Sequence, residues 1–301
     1  MRLIRPTVIT DAILTACDVP ETDYAAWNSG TAYVVGNRCI RTSTHRIYEC
    51  LVNNTNFTPE TNTSGVTPKW LDCGATNRWK MFDAVVGSRT TQANSITLTL
   101  TPAQIVDSIA FLDLVATTID VVMTDPVEGV VYTEHIDLIS KSFIVDLYTY
   151  FFEPIITDDA CVLLGVPAYL DASLEITITN TGATAEIGTL VIGAQKYLGG
   201  TQYAPSIGIN DYSKKDVDAF GNFTVLQRAY TKRMSCELFL ENNLVDILQR
   251  TLAEYRATPV VWVGTDENFS CMLIYGFFKS FTITIIYLTH STCSLEVEGL
   301  S

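Results

Sequence analysis

From Asn94 to about Ile192 the chain repeats one pattern, short apolar or alternating runs separated by Asp, Gly and Pro. Ser95–Thr101 reads SITLTLT, which sets Ile96, Leu98 and Leu100 on one side and threonines on the other. Successive side chains of a strand leave opposite faces, so a period of two is a half-buried strand. A helix needs apolar residues three and four apart, and these runs do not supply them. Ser108–Val115, Thr118–Met123, Gly129–Tyr132, Ser142–Tyr148, Ser173–Thr179 and Glu186–Gly193 read as further strands. Many short strands joined by turn residues predict a β-sandwich or jelly roll over residues 79–200.

The flanks have different textures. Residues 1–22 read as a leader. Residues 23–78 are rich in Trp, Tyr, Asn, Thr and Gly, with a polar loop at Asn53–Pro68. A unit of that size has little core, so a few large aromatics must carry it. Exposed aromatics also stack on the apolar faces of pyranose rings. Trp27, Tyr33, Tyr48, Phe57 and Trp70 are therefore candidates either for the core of this module or for glycan binding.

In residues 201–301, Phe220–Tyr230 and Met234–Leu240 predict a hairpin. Asn242–Arg256 predicts a helix with Leu244, Ile247, Leu248, Leu252 and Tyr255 on one face. Asn242 or Asn243 is its expected N-cap, and Pro259 ends it. Val260–Val263, Cys271–Phe278, Phe281–Leu288 and Cys293–Glu298 read as strands, and the glycines around Leu198–Gly208 mark the junction with the preceding segment. The expected fold is mainly β: a small N-terminal β module, a central β-sandwich or jelly roll, and a C-terminal α+β domain with one helix.

The formal net charge is −14, and no run of Lys or Arg exceeds two residues. A nucleic-acid binder needs a basic stripe, and an acidic chain is repelled by anionic lipid. Neither partner is expected. No stretch approaches the roughly 18 apolar residues of a membrane span, and the N-terminus lacks the apolar core of a secretion signal. The eight cysteines form no CxxC pair and sit at no ligand spacing from a histidine. Free thiols in a reducing cytoplasm are the expectation.

Nothing in the pattern asks for catalysis. His45, His135 and His290 lie far apart, and HExxH, GxSxG and the phosphate-loop pattern are absent. Asp158–Asp159 and Asp125/Glu128 read as turn residues, and Gly193–Gly200 as a strand end leading into a linker. No catalytic residue, cofactor or metal is expected. A glycan hydrolase would need two carboxylates about 5–10 Å apart, which only the fold can define.

Two resemblances add to this reading. Ala26-Trp27, Gly30-Thr31-Ala32-Tyr33, Gly36-Asn37-Arg38-Cys39, Tyr48-Glu49-Cys50 and Pro68-Lys69-Trp70 follow in an order that resembles the small carbohydrate-binding modules of bacterial chitinases. Those modules carry extra exposed aromatics after the Tyr-Glu strand, whereas here Leu51–Phe57 offers only Phe57. The module order, the WKMFD stretch at Trp79–Asp83, Gly208–Ser213, Phe220-Gly221, Gln227-Arg228-Ala229, Tyr275-Gly276 and the ending Cys293–Leu300 resemble virion proteins of tailed bacteriophages. In the middle segment, Asp107–Leu114 and Glu186–Gly193 resemble galactose-binding-like jelly rolls.

The phage resemblance implies a structural, non-enzymatic tail protein, placed at a tail tip, collar or fibre-attachment ring and assembled in the host cytoplasm. Its partners would be copies of itself and other tail proteins. Only 17% of residues are charged, against about 25% in ordinary domains, and 48% are apolar. Such surface suits permanent interfaces, whose centres are depleted of charge. The rival expectation is a host-glycan receptor binder that uses the N-terminal aromatics.

Overall fold

Ser173–Tyr197 is a single strand of 25 residues, and most of the sheet is built on it. In sequence it reads as two strands, because Asn180-Thr181-Gly182 has turn chemistry. The backbone does depart there. Gly182 has φ +79°, and the register with Thr90–Leu100 shifts between Thr179 and Thr184. A bulge of this kind redirects a strand without ending it. Before the shift the strand pairs with Thr118–Asp125, and after it with Ser108–Val115 and then Arg2–Pro6. Residues 1–85, 87–139, 146–152, 156–217, 220–265 and 269–300 are described by this computed structural model.

The protein is mainly β, with a 14-stranded sheet in which every strand pairing is antiparallel. The period-two reading of Ser95–Thr101 holds: Ile96, Leu98 and Leu100 are fully buried. They share one core with Phe111, Ile119, Val121, Leu174, Ile176 and Ile178. The expected strand Ser142–Tyr148 falls mostly outside the described residues, and its last two residues open the short helix Leu147–Phe152.

Residues 1–22, expected as a leader, supply two strands of the sheet. Arg2–Pro6 lies between Ser173–Tyr197 and Val260–Val263, and Leu14–Cys17 pairs with Thr90–Leu100. Leu3 and Ile4 are adjacent and both fully buried. A strand covered on both faces loses its alternation, so this one carries no period-two signal. At Gly193, a Cβ would come within 1.8 Å of the Arg5 carbonyl oxygen, so only glycine lets the first strand approach there.

The C-terminal region corrects the sequence reading in three places. Tyr230–Glu241 is one strand, paired with His290–Gly299, while Phe223–Leu226 turns back onto Lys214–Val217. The expected hairpin between Phe220–Tyr230 and Met234–Leu240 is therefore absent. Cys271–Phe278 and Phe281–Leu288 merge into Leu273–Thr284, with a register shift between Phe278 and Ser280. The helix begins as a 3-10 turn, Asn242–Leu244, and continues as Val245–Glu254. Asn242 does not cap it. Its Nδ2 donates to the Tyr287 carbonyl at 2.9 Å, and its Oδ1 accepts from Ser291 Oγ at 2.5 Å.

Leu248, Leu252 and Tyr255 pack into a second core with Leu238, Leu240, Trp262 and Leu295, whereas Ile247 stays 59% exposed. The two positions are neighbours in sequence with opposite environments. Leu248→Ala is expected to cost about 2–5 kcal/mol, the range for truncating a buried leucine. Ile247→Ala is expected to cost less than about 0.5 kcal/mol. Denaturant unfolding of the two variants checks both values, and similar losses would contradict this placement of the helix.

Candidate functional site

The small N-terminal module is a three-stranded sheet, Arg38–Arg41, Arg46–Cys50 and Trp70–Ala75, beside the short pair Ala32–Tyr33 and Asn54–Thr55. Three of its candidate aromatics face inward. Trp70 is fully buried, and its Nε1 donates to the Phe57 carbonyl at 2.9 Å. Tyr33 meets it edge-on, with ring centroids 5.0 Å apart, and the Tyr33 hydroxyl accepts from the Asn28 amide at 2.8 Å. Tyr48, Cys39 and Cys50 complete this core. Trp27 is half-buried under the Arg41 guanidinium, 5.0 Å from its ring centroid. Phe57 alone of the five is exposed, with the Lys69 ammonium 5.7 Å from its ring.

The residues that sequence brought together as one aromatic set thus divide. A sugar platform needs an open ring face, and Tyr33, Tyr48 and Trp70 have none. Their spacing serves a core that a short chain cannot build from aliphatics alone.

The module is clamped to the rest of the protein at its far end. His45 stacks on Trp79 at 4.0 Å, its Nδ1 is 3.1 Å from Glu21 Oε1, and its Nε2 is 3.1 Å from Asp11. Thr76 Oγ1 donates to Glu21 at 2.9 Å, and Arg78 Nε donates to the Val19 carbonyl at 2.6 Å. A cleft of about 420 Å³ lies here, lined by Asp11, Arg46, Phe82 and Asp83 beside that stack. The other histidines also have local partners. His135 Nδ1 is 2.6 Å from Asp120, and His290 stacks on Phe239. The three histidines sit in separate parts of the fold.

Four of the thiols, those of Cys39, Cys50, Cys236 and Cys293, are buried. Burial is the main cause that pushes Cys161 up to about 12, and Cys39 and Cys293 up to about 11. The thiolate is the reactive form, so these side chains behave as small apolar groups. All eight cysteines are free.

The largest unused resource is exposed apolar surface, and three segments of it stand out. Leu147, Tyr148, Phe151 and Phe152 project from the short helix. Ile285–Leu288 forms the turn before His290–Gly299, with Leu288 wholly exposed. The third segment is an arm, a two-stranded ribbon of Lys214–Val217 and Phe223–Leu226 in which all eight residues are exposed. Cross-strand pairs are Lys215 with Val225 and Val217 with Phe223 on one face, and Lys214 with Leu226 and Asp216 with Thr224 on the other. One face is apolar apart from a lysine. The other is polar, with Lys214 Nζ 2.9 Å from Asp216.

Sequence reasoning placed Leu147, Tyr148, Phe223–Leu226 and Ile285–Leu288 in strands and gave no element to Phe151, Phe152 or Val217. Their periodicity gives no sign that nothing lies behind them. No protein-family model matches the chain, and no curated protein matches it.

Two measurements follow from this geometry. Alkylation of the native protein is expected to modify the exposed Cys73 and Cys271 first. Cys39, Cys50, Cys236 and Cys293 react only after unfolding, and denatured, unreduced protein takes eight labels by mass spectrometry. Trp70→Ala is expected to cost about 3–5 kcal/mol, and Phe57→Ala less than about 0.5 kcal/mol. Thermal or denaturant unfolding of the N-terminal module tests that contrast.

Proposed function

We propose that this protein is a structural, non-enzymatic virion subunit of a bacteriophage tail, built into a ring or collar at the tail tip or fibre-attachment region. The observation that carries this reading is the arm together with the two other exposed apolar segments. An isolated two-stranded ribbon is marginal in water, and contiguous exposed apolar surface marks an interaction site. Such surface on a rigid antiparallel body suits a subunit whose neighbours cover it permanently. The phage assignment itself rests on the sequence resemblance at Gly208–Ser213, Phe220-Gly221 and Cys293–Leu300.

The partners in this reading are further copies of the chain and adjacent tail proteins. The N-terminal module serves for docking or projection. Burial of Tyr33, Tyr48 and Trp70 favours docking over host-glycan capture, because it leaves Phe57 as the one open ring among the five.

Sedimentation velocity across a concentration series is expected to show a defined oligomer for the full chain. Gold-labelled antibodies against the chain are expected to decorate one end of the tail of virions that carry it. A monomer at every concentration that binds a glycan tightly would replace this reading with the receptor-binding one.

A further inference from the structure

The sheet has two unlike ends. At one end Gly129–Asp137 pairs, among the described residues, only with Thr118–Asp125. At the other end lies Tyr230–Glu241, paired with Ser206–Asp211, from which the arm extends. Beside Gly129–Asp137 runs a groove of about 310 Å³. Ile136, Leu163 and Met272 form its apolar wall, and Glu134, Asp137 and Asp158 its acidic side, beside His135, which is held 2.6 Å from Asp120.

The arm is complementary in both respects. Its apolar face presents Val217, Phe223 and Val225 together with Lys215. Its strands carry Lys214, Lys215 and Asp216, and Lys215 is the one charge on the apolar face. An apolar face with one lysine and an apolar groove with an acidic side are thus on different parts of one molecule. In its own chain the arm is fully exposed and does not occupy the groove.

We infer that the arm of one copy docks, apolar face inward, in the groove beside Gly129–Asp137 of a second copy. This deepens the proposed assembly role and rests on it. The contact is head-to-tail, since arm and groove are different surfaces. Repeated contacts of that type close into a ring when the rotation between neighbours divides a full turn. The apolar face gains cover, while Lys215 meets the acidic side and fixes the register. The open edge of Gly129–Asp137 lies next to the same groove, where an added strand gains main-chain hydrogen bonds.

The test uses the full chain, prepared once with natural isotopes and once with ¹⁵N, then mixed and treated with a zero-length carbodiimide. Cross-links are expected from Lys214 or Lys215 to Glu134, Asp137 or Asp158, with the two peptides carrying different isotopes. Links within one isotope only would mean the arm folds back on its own chain, and would overturn the inference. Val217→Asp with Phe223→Asp is expected to weaken self-association at least about tenfold without changing thermal unfolding, because both residues are exposed. Glu134→Lys is expected to weaken it too, and Lys215→Glu added to Glu134→Lys to restore it. An oligomer indifferent to the arm substitutions sinks this contact but leaves the assembly role standing. A wild-type chain that never self-associates sinks both.

Discussion

The architecture depends on one strand of five residues. Arg2–Pro6 lies between Ser173–Tyr197 on one side and Val260–Val263 on the other, and so joins the sandwich-like half of the sheet to the C-terminal half. Ile4 belongs to a small buried cluster with Ala110, Val191, Val261 and Leu273, drawn from both halves. Leu3, on the opposite face, packs with Leu198, Trp262 and Ile274 in the C-terminal core. Without this strand, Ser173–Tyr197 and Val260–Val263 would face each other across a gap with unpaired backbone groups. Burying such groups costs about as much as a lost hydrogen bond each.

The parts of the fold that were legible in the sequence are those buried on one face. Ile96, Leu98 and Leu100 alternate with threonines because one side meets the core and the other does not. Ser108–Val115, buried on both faces, was legible instead as a continuous apolar run bounded by turn residues. Arg2–Pro6 escaped notice because burial on both faces erases alternation. Ser173–Tyr197 was split because Gly182 signals a turn, while only the neighbouring strands decide whether the chain reverses or bends. The helix was found by its spacing, but Ile247 fits the same spacing as Leu248 and faces solvent. Three-to-four periodicity defines a stripe wider than the surface that the sheet covers.

The candidate site divides in the same way. Trp27, Tyr33, Tyr48, Phe57 and Trp70 could be picked out because large aromatics are conspicuous in a short polar module. Whether a ring is a core element or a platform depends on what stands over it, as Arg41 stands over Trp27. The arm was invisible for the converse reason. Val217, Phe223, Val225 and Leu226 have the composition of interior strand residues, and only the absence of a packed layer behind them sets them apart. Shape and charge then give the surface its meaning: an apolar face with one lysine, and a groove with three carboxylates.

The position of Arg2–Pro6 also sets an order in time. This strand is made well before both of its partners, Ser173–Tyr197 and Val260–Val263. Contacts so distant in sequence form slowly, since a long loop must close before they give any return. The arm grows from Tyr230–Glu241, which in turn pairs with His290–Gly299, a strand made later still. A partly synthesised copy therefore lacks the rigid base that would hold its arm in place. Synthesis of His290–Gly299 thus acts as a licence: the arm has no firm base until that strand is made.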